Sequence, residues 1–192
     1  YRLMVADAAG GAATVADTGE FEITNYEWSP DSRYLAYDLS IDNGFSQVRV
    51  WDGQTKKSYA VTDPMFNSYS PTWDPKGKYL FFLSDRFINP YLDRFEARFI
   101  VQKSALPVAL ALQVDGKLPF APRGDLDPKS LDKDDEKADA KDDKDKKKDK
   151  EEGKIEPIRV DFDGIADRAV QIPVPPGQYF GLRAVEGKLH WL

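Results

Sequence analysis

WSPDSRYLAYDLS (residues 28–40) and WDPKGKYLFFLSD (residues 73–85) are two copies of one pattern, and this repetition decides the fold. In each copy, a tryptophan precedes a proline-containing turn, and Tyr-Leu then begins an apolar run. The step from Trp28 to Trp73 is 45 residues, and the same step superimposes 2–7 on 47–52. A repeat of about 40–45 residues is typical of β-propellers, in which each repeat forms one four-stranded blade.

The better preserved copy predicts four short strands, at 22–28, 33–39, 47–52 and 57–62. RYLAYDL and VRVWD alternate with a period of two and contain many β-branched and aromatic residues, as half-buried strands do. SPDSR and DPKGK place proline, aspartate and glycine where tight turns need them. These strands and turns predict antiparallel hairpins.

A third copy follows at a larger step. A shift of 110 residues superimposes 49–62 on 159–172 and 76–82 on 186–192. This alignment places 65 additional residues (110 − 45) between the second and third strands of the second blade. We therefore predict an all-β chain that forms part of a β-propeller with four-stranded antiparallel blades. The predicted parts are a blade remnant at 1–21, a blade at 22–62, a blade at 66–173 with an insertion at 84–155, and the start of another blade at 178–192.

The insertion contains a highly charged stretch, 125–154, with 13 acidic residues and 10 lysines. Such a composition buries too little apolar surface to offset the entropy of ordering, which predicts a disordered loop. A long surface insertion costs a fold little, because loop-closure entropy grows slowly with length. A regulatory or docking tail is the alternative interpretation. ALPVALALQV (105–114), which precedes the charged stretch, is predicted to form a strand.

Composition excludes several classes of protein. The net charge of −6 disfavours a nucleic-acid or anionic-membrane partner. The chain has no cysteine, so disulfide frameworks and thiolate metal sites are excluded. No apolar run approaches 18 residues, which predicts no membrane span.

Little in this chain suggests catalysis. The single histidine, His190, lies in the strand-like segment KLHWL and reads as a blade residue rather than a general base. No G-x-S-x-G elbow occurs. DFDGIAD (161–167) resembles the start of a calcium-binding loop. It lacks the acidic residues at the other ligand positions and the bidentate glutamate, so we interpret it as a hairpin turn. We predict no catalytic residue, no metal ligand and no cofactor.

The repeated turn itself has two interpretations. Asp31 in WSPDS is a possible acceptor for a ligand. The structural interpretation is that Trp28 and Trp73 fill space between adjacent blades while the turns join inner strands. The repetition favours the structural one.

Three non-repeating stretches carry a family resemblance. These are LSDRFINPYLDRFE (83–96), PFAPRGD (119–125) and, most specifically, GIADRAVQIPVPPGQYFGLRAVEGKL (164–189). Together with the blade repeat, they resemble the second, larger propeller of the tricorn protease family. The blade turn alone also resembles Tol-associated and prolyl-oligopeptidase-type propellers.

This resemblance implies a large serine peptidase that assembles into hexamers and cleaves short peptides. It also implies that the propellers guide peptides to a separate catalytic region that does not lie in this sequence, so no catalytic residue is carried over. The implied partners are peptides, other domains of the same polypeptide and further copies of it. Relatives differ between cytoplasmic and periplasmic locations, and the compartment stays open.

The best candidate for a binding segment is SDRFINPYLDRFEARF (84–99), which departs from the repeat. Arginines among aromatic residues suit a peptide carboxylate flanked by apolar side chains. The candidate residues for binding a substrate or partner are Arg86, Tyr91, Arg94 and Arg98. Two alternatives remain: a short packing helix whose inner face is Tyr91, Phe95 and Phe99, and a contact with a partner subunit or domain.

Two functions follow from these observations. The first is a non-catalytic propeller segment of a tricorn-like serine peptidase, which guides or gates peptides and supports assembly. The second is a stand-alone Tol-associated or WD-repeat-like propeller that acts as a protein-binding scaffold. The sequence downstream of residue 192 distinguishes them, since only the first is followed by a protease region.

Overall fold

The computed structural model describes residues 1–117 and 156–192. Within these residues the secondary structure is β-strand, apart from one short 3-10 helix, Ile165–Arg168. The charged stretch 125–154, which the sequence predicts to be disordered, lies outside the described residues. The all-β prediction is confirmed.

The first complete sheet has four antiparallel strands in the order β3-β4-β5-β6. Its strands are β3 (Ile23–Trp28), β4 (Tyr34–Ser40), β5 (Ser46–Asp52) and β6 (Lys57–Ala60). These are the four strands that the repeat predicts, with ends within two residues of the predicted ones. The sheet is one blade of a partial β-propeller.

The second complete sheet has the order β12-β11-β8-β7. Its strands are β7 (Ser68–Trp73), β8 (Tyr79–Asp85), β11 (Ala105–Ala111) and β12 (Ala169–Gln171). β11 pairs with β8 over seven residues, from Ala105 opposite Asp85 to Ala111 opposite Tyr79. Antiparallel sheets of this size agree with the predicted blades.

The third strand of this sheet differs from the prediction. The repeat alignment places it near 159–162, after the insertion, and this assignment is wrong because β11 occupies that position. All seven residues of β11 are buried. This apolar strand forms the backbone hydrogen bonds that the edge of β8 would otherwise lack. Two segments therefore interrupt the sheet: 86–104 before β11, and 112–168 after it.

Three two-stranded hairpins complete the described fold. They are β1 (Arg2–Val5) with β2 (Thr14–Thr18), β9 (Pro90–Leu92) with β10 (Phe99–Val101), and β13 (Arg183–Val185) with β14 (Lys188–His190). The first and last hairpins fall where the sequence predicts incomplete blades. The middle hairpin belongs to the segment 86–104.

The core lies between the two complete sheets. Successive side chains of a strand point to opposite faces, and β4 is buried on both. Tyr34 and Ala36 face the second sheet, in a cluster that includes Trp73, Leu80 and Phe82. The opposite face packs against the first hairpin in a separate cluster, whose buried members are Ala16, Leu35, Tyr37, Leu39 and Trp51. Each large apolar side chain buried in this way contributes about 1.5–3 kcal/mol.

The two copies of the repeated turn share their backbone hydrogen bonds but differ in their side-chain ones. In the first copy, Ser29 Oγ donates to Asp31 Oδ1 at 2.6 Å and accepts from Tyr34 N at 2.8 Å. In the second copy, Asp74 Oδ2 accepts from Lys78 N at 3.0 Å. Both arrangements satisfy backbone groups of the turn with a side-chain oxygen. The repeated pattern therefore forms the same turn with different polar side chains.

A segment that follows the charged stretch lies across both turns. Ile158 N donates to Asp31 Oδ2 at 2.8 Å. Ile158 is buried and packs at Gly77, where an added Cβ would lie 2.4 Å from Ile158 Cγ1. Phe162 stacks on Tyr59 with a ring-centroid distance of 3.9 Å. Asp31 therefore has a structural role here.

The two repeat tryptophans differ in burial. Trp73 is 3% exposed in the cluster between the two sheets, which agrees with its predicted space-filling role. Trp28 is 44% exposed and meets Trp51 edge-to-face at 6.1 Å. The side of the sheet that carries Trp28 faces the first hairpin, β1–β2, and this hairpin has only two strands.

Candidate functional site

β3 and β7, the first strands of the two complete sheets, lie against each other and are called the inner strands here. They carry a shared irregularity. β3 is bulged between Thr24 and Glu27, and β7 is bulged between Tyr69 and Thr72. Asn25 (φ 48°) and Ser70 (φ 54°), one in each bulge, have left-handed backbone conformations, although neither is glycine. Their separation, 70 − 25, equals the repeat step of 45. Strained residues of this kind persist only where surrounding bonds hold them.

Asp38 supplies the bonds that hold both bulges. Its Oδ2 accepts from Thr24 Oγ1 at 2.7 Å and from Asn25 Nδ2 at 3.2 Å. Its Oδ1 accepts from Ser70 N, on the next sheet, at 3.1 Å. Burial raises the pKa of the Asp38 carboxyl, and these hydrogen bonds oppose the increase. Asp38 thus joins the inner strands of two sheets through a buried carboxylate.

Glu27 forms a second junction, closer to the end of the inner strands. Its Oε1 accepts from Thr72 Oγ1 at 3.0 Å and from Trp73 N at 3.1 Å. Its backbone oxygen accepts from Trp73 Nε1 at 3.0 Å. Its Oε2 accepts from Arg183 Nη1 at 2.7 Å. Because Arg183 begins β13, this one carboxylate links β3, β7 and β13.

Arg183 is the most exposed member of this junction. Its side chain is 61% exposed, whereas that of Glu27 is 29% exposed. The next backbone amide, Ala184 N, donates to Thr72 Oγ1 at 3.3 Å and fixes the start of β13. A guanidinium has five N–H donors in a planar fork. When one of its nitrogens is bonded to a carboxylate, the remaining N–H groups can still donate to a second one. The inner-strand site, Glu27, Asp38, Thr72 and Arg183, combines rigid anchoring with one exposed cation.

Sequence reasoning did not single out Glu27, Asp38 or Arg183. The equal spacing of Asn25 and Ser70 was a signal available in the sequence, but only tertiary pairing shows what lies opposite them. Glu27 and Arg183 are 156 residues apart, and nothing local in the sequence relates them.

The four predicted binding residues lie along the β9–β10 hairpin rather than in one cluster. Arg86 is at its base, with its guanidinium 4.9 Å from the ring centre of Phe66 and its Nε donating to Ser84 Oγ at 3.1 Å. Burial lowers the pKa of Arg86. Tyr91 is in β9, and Arg94 and Arg98 are in the turn that joins the strands.

The alternative of a short packing helix over these residues is wrong. Tyr91 and Phe99 lie in paired strands, and Phe95, at the tip, is 93% exposed. The tip is closed by the Asp93 carboxylate, which accepts from the backbone N–H groups of Phe95 and Glu96. Ala97 has a φ of 52°, which ends any helical continuation. The spacing of four between the aromatic residues matched a helix by coincidence.

His190 lies in β14, opposite Arg183, and is exposed. In the described part of the chain, no hydroxyl group is hydrogen-bonded to it. Across residues 1–117 and 156–192, no group of three or more histidine, aspartate or glutamate side chains is arranged to hold a metal ion. None of the helices in those residues is long and apolar enough to cross a bilayer.

Comparison with known proteins identifies the family. The family model described as the second β-propeller domain of tricorn protease matches residues 1–192. The chain belongs to the tricorn protease family. It is a propeller segment of a tricorn-family protein, as the resemblance of its non-repeating stretches implied.

Individual tricorn relatives agree with this assignment. Tricorn protease homolog 1 of Streptomyces coelicolor is 29% identical over 192 residues, which cover 99% of this chain and 17% of the relative. Tricorn protease of Thermoplasma acidophilum is 28% identical over 119 residues, covering 58% of this chain and 11% of the relative. The chain therefore spans less than a fifth of the length of either relative.

A solved structure supports the fold. The crystal structure of the tricorn protease matches with a TM-score of 0.68 and 23% identity, covering 96% of this chain and 16% of that one. At this level of identity the likeness concerns the fold, and it agrees with the partial propeller described above.

Proposed function

We propose that this chain is a non-catalytic propeller segment of a tricorn-like serine peptidase, where it guides peptides and supports assembly of the enzyme. The observation that carries the proposal is the family match over the whole chain. The peptidase chemistry is assigned to another region of the polypeptide. The proposed partners are peptides, other domains of the same polypeptide and further copies, with a hexamer as the expected assembly.

The inner-strand site supports the guiding role. Blades of a propeller surround a central channel, and the innermost strand of each blade lines it. Glu27 ties three such strands together and orients Arg183, whose guanidinium remains largely exposed. An oriented arginine suits the carboxylate of a peptide that passes along the channel. The Asp38 carboxylate joins the bulges of two neighbouring strands of this wall.

The alternative, a stand-alone Tol-associated or WD-repeat-like scaffold, receives no support from the family match. It predicts that the intact protein binds proteins without hydrolysing peptides. A single measurement separates the two functions: hydrolysis of short peptides by the intact protein and its loss when the proposed protease region is removed.

The guiding role is tested with Arg183→Glu in the intact protein. We expect kcat/KM to fall about tenfold for peptides with a free C-terminal carboxylate, because a charge-assisted hydrogen bond contributes about 1.5–3 kcal/mol and part is lost to solvent. Hydrolysis of the same peptides with amidated C-termini should change less. Lys188→Glu, which makes the same charge change on β14, is the matched control. Equal losses in both variants would reject the proposed role of Arg183.

A further inference from the structure

An open groove lies between the β1–β2 hairpin and the first complete sheet. It has a volume of about 770 Å³, within the range of roughly 300–1,000 Å³ that is usual for ligand-binding pockets. Trp28, which is 44% exposed, forms part of its wall. The wall residues that have equivalents elsewhere in the fold are Val5, Thr14, Trp28, Ser32 and Gly53. These equivalents show what kind of group the groove accepts.

The repeat relates the open groove to a second groove, which lies between the two complete sheets. The step of 45 residues superimposes four wall residues, Val5, Thr14, Trp28 and Ser32, on Val50, Tyr59, Trp73 and Gly77. The backbone agrees, because Ser32 (φ 60°) and Gly77 (φ 66°) both have left-handed conformations in the repeated turn. The second groove, called the occupied groove below, holds the segment 158–162, IRVDF. The same type of wall is thus filled in one place and open in the other.

The occupied groove shows which chemistry fits this wall. Ile158 and Val160 belong to the buried cluster that contains Trp73. Phe162 stacks on Tyr59 with a ring-centroid distance of 3.9 Å. These three apolar side chains alternate along the segment, as they do in an extended chain that lays one face on a protein surface. The occupant is therefore an extended segment with an apolar side chain at every second position.

The backbone contact of that segment also has an equivalent in the open groove. Leu112 N donates to Lys78 O at 3.2 Å, and Leu112 O accepts from Asp161 N at 2.9 Å. In the first sheet, Gly53 N donates to Arg33 O at 2.9 Å, and Arg33 lies one repeat step (78 − 33) before Lys78. Gly53 therefore takes the place of Leu112. Its carbonyl oxygen is the acceptor that a peptide in the open groove would meet.

The lengths of two connections explain why only one groove is filled. The third and fourth strands of the second sheet are joined by 112–168, and this long connection supplies the segment 158–162. The third and fourth strands of the first sheet are joined by 53–56 alone. A turn of four residues only reverses the direction of the chain. The first sheet therefore has no segment of its own to lay in the open groove, which leaves it available to another molecule.

A cation lies at the edge of each groove. In the occupied groove, the guanidinium of Arg168 donates to the backbone oxygens of Leu112 and Asp161. In the open groove, the turn 53–56 brings Lys56 to the wall, with its Nζ 4.9 Å from the ring centre of Trp51. An ammonium group has three N–H donors and attracts carboxylates most strongly. Lys56 thus favours an occupant with a carboxylate at this edge.

We propose that the open groove binds a separate peptide in an extended conformation, with apolar side chains at alternate positions and a carboxylate close to Lys56. The apolar side chains take the places that Ile158, Val160 and Phe162 have in the occupied groove. A backbone amide of the peptide donates to Gly53 O. The groove is distinct from the inner-strand site, so the inference goes beyond the proposed function and does not depend on peptide hydrolysis.

The first test measures peptide binding directly. The probe is the synthetic peptide IRVDF, labelled at its amino end and carrying a free C-terminal carboxylate. Its fluorescence anisotropy is measured with the intact protein, treated with a serine-reactive inhibitor so that the probe stays whole. We expect saturable binding, at least tenfold weaker binding of SRSDS, and about threefold weaker binding of amidated IRVDF. Absence of saturable binding would show that the intact polypeptide fills the groove with a segment of its own, which overturns the proposal, as would equal binding of SRSDS.

The second test assigns the binding to this groove. Lys56→Glu in the intact protein should raise the dissociation constant of IRVDF about three- to tenfold. Lys103→Glu is the matched control, because Lys103 (φ 56°) has the backbone conformation of Lys56 (φ 57°) and is equally exposed, but lies outside the groove. Ser32→Gly should lower the dissociation constant about threefold, because it supplies the glycine that makes room for Ile158 at Gly77. Equal effects of the two lysine variants, or weaker binding by Ser32→Gly, would reject the groove as the peptide site.

Discussion

Replacing Gly77 with alanine should weaken the contact between the second repeated turn and Ile158. Gly77 has a φ of 66°, and an added Cβ would lie 2.4 Å from Ile158 Cγ1 and 2.7 Å from Cδ1. Gly187 is a matched control, because it has the same φ of 66° and no atom within 4 Å of an added Cβ. The two substitutions share the backbone cost, and only Gly77→Ala adds a steric one.

The expected magnitudes separate these two costs. An alanine in the left-handed region costs about 1–2 kcal/mol at either position. At Gly77, forcing a methyl group against Ile158 adds about 1–3 kcal/mol, the usual range for overpacking a buried site. The free energy of local opening around Ile158 should fall by this larger sum. Each 1.4 kcal/mol corresponds to a tenfold change in the opening equilibrium.

Hydrogen–deuterium exchange of the intact protein measures this opening directly, because protection reports local stability. In Gly77→Ala, the amide of Ile158, which donates to Asp31, should exchange about 30-fold to 4,000-fold faster. Gly187→Ala should leave this amide unchanged. In an Ile158→Ala background, Gly77→Ala should cost only as much as Gly187→Ala costs at its own site. An identical steric penalty with and without the Ile158 side chain would refute this reasoning.

Three further predictions concern residues that join the sheets. Asp31→Ala should cost about 1–3 kcal/mol, because it leaves a backbone N–H unpaired, and it should accelerate exchange at the Ile158 amide; slow exchange there would contradict this. Burial raises the pKa of Asp38, so its contribution to stability is fully present below the unfolded pKa near 3.9 and declines as the pH rises through the folded pKa. Carboxyl NMR should place this titration above about 3.9, and Asp38→Asn should abolish the corresponding pH dependence of unfolding. Trp73→Ala should destabilise by about 3–5 kcal/mol and Trp28→Ala by clearly less, since Trp28 is half-exposed; equal losses in thermal unfolding would argue against the core described here.

The sequence was sufficient for the blade pattern because the repeat encodes local structure. Turn residues and the period-two alternation act within a few positions, so β3 to β6 could be placed from 22–62 alone. β11 was recognised as a strand but given no partner. Its residues, ALPVALA, match no other copy of the repeat, and only the available edge of β8 shows where an apolar strand belongs.

The candidate site was harder to predict because it depends on distant pairs. The bond between Glu27 and Arg183 exists only once β3, β7 and β13 are adjacent. The sequence marks 84–99 as a departure from the repeat, and the structure has an additional hairpin there, β9–β10; that these residues bind a substrate or partner stays a prediction. Their secondary structure was ambiguous, since an aromatic residue at every fourth position suits a helix face and a hairpin with a tip equally well.

The order of strands in the second sheet has a consequence during synthesis. β12 begins 58 residues after β11 ends (169 − 111), and at 5–20 residues per second the ribosome needs about 3–12 s to make that stretch. Until then, the outer edge of an entirely apolar strand remains unpaired on the nascent chain, and such edges promote aggregation. The residues that emerge during this interval are dominated by the charged stretch 125–154. The charged stretch therefore follows this apolar edge in the sequence. We expect it to keep the nascent chain in solution while the edge is unpaired.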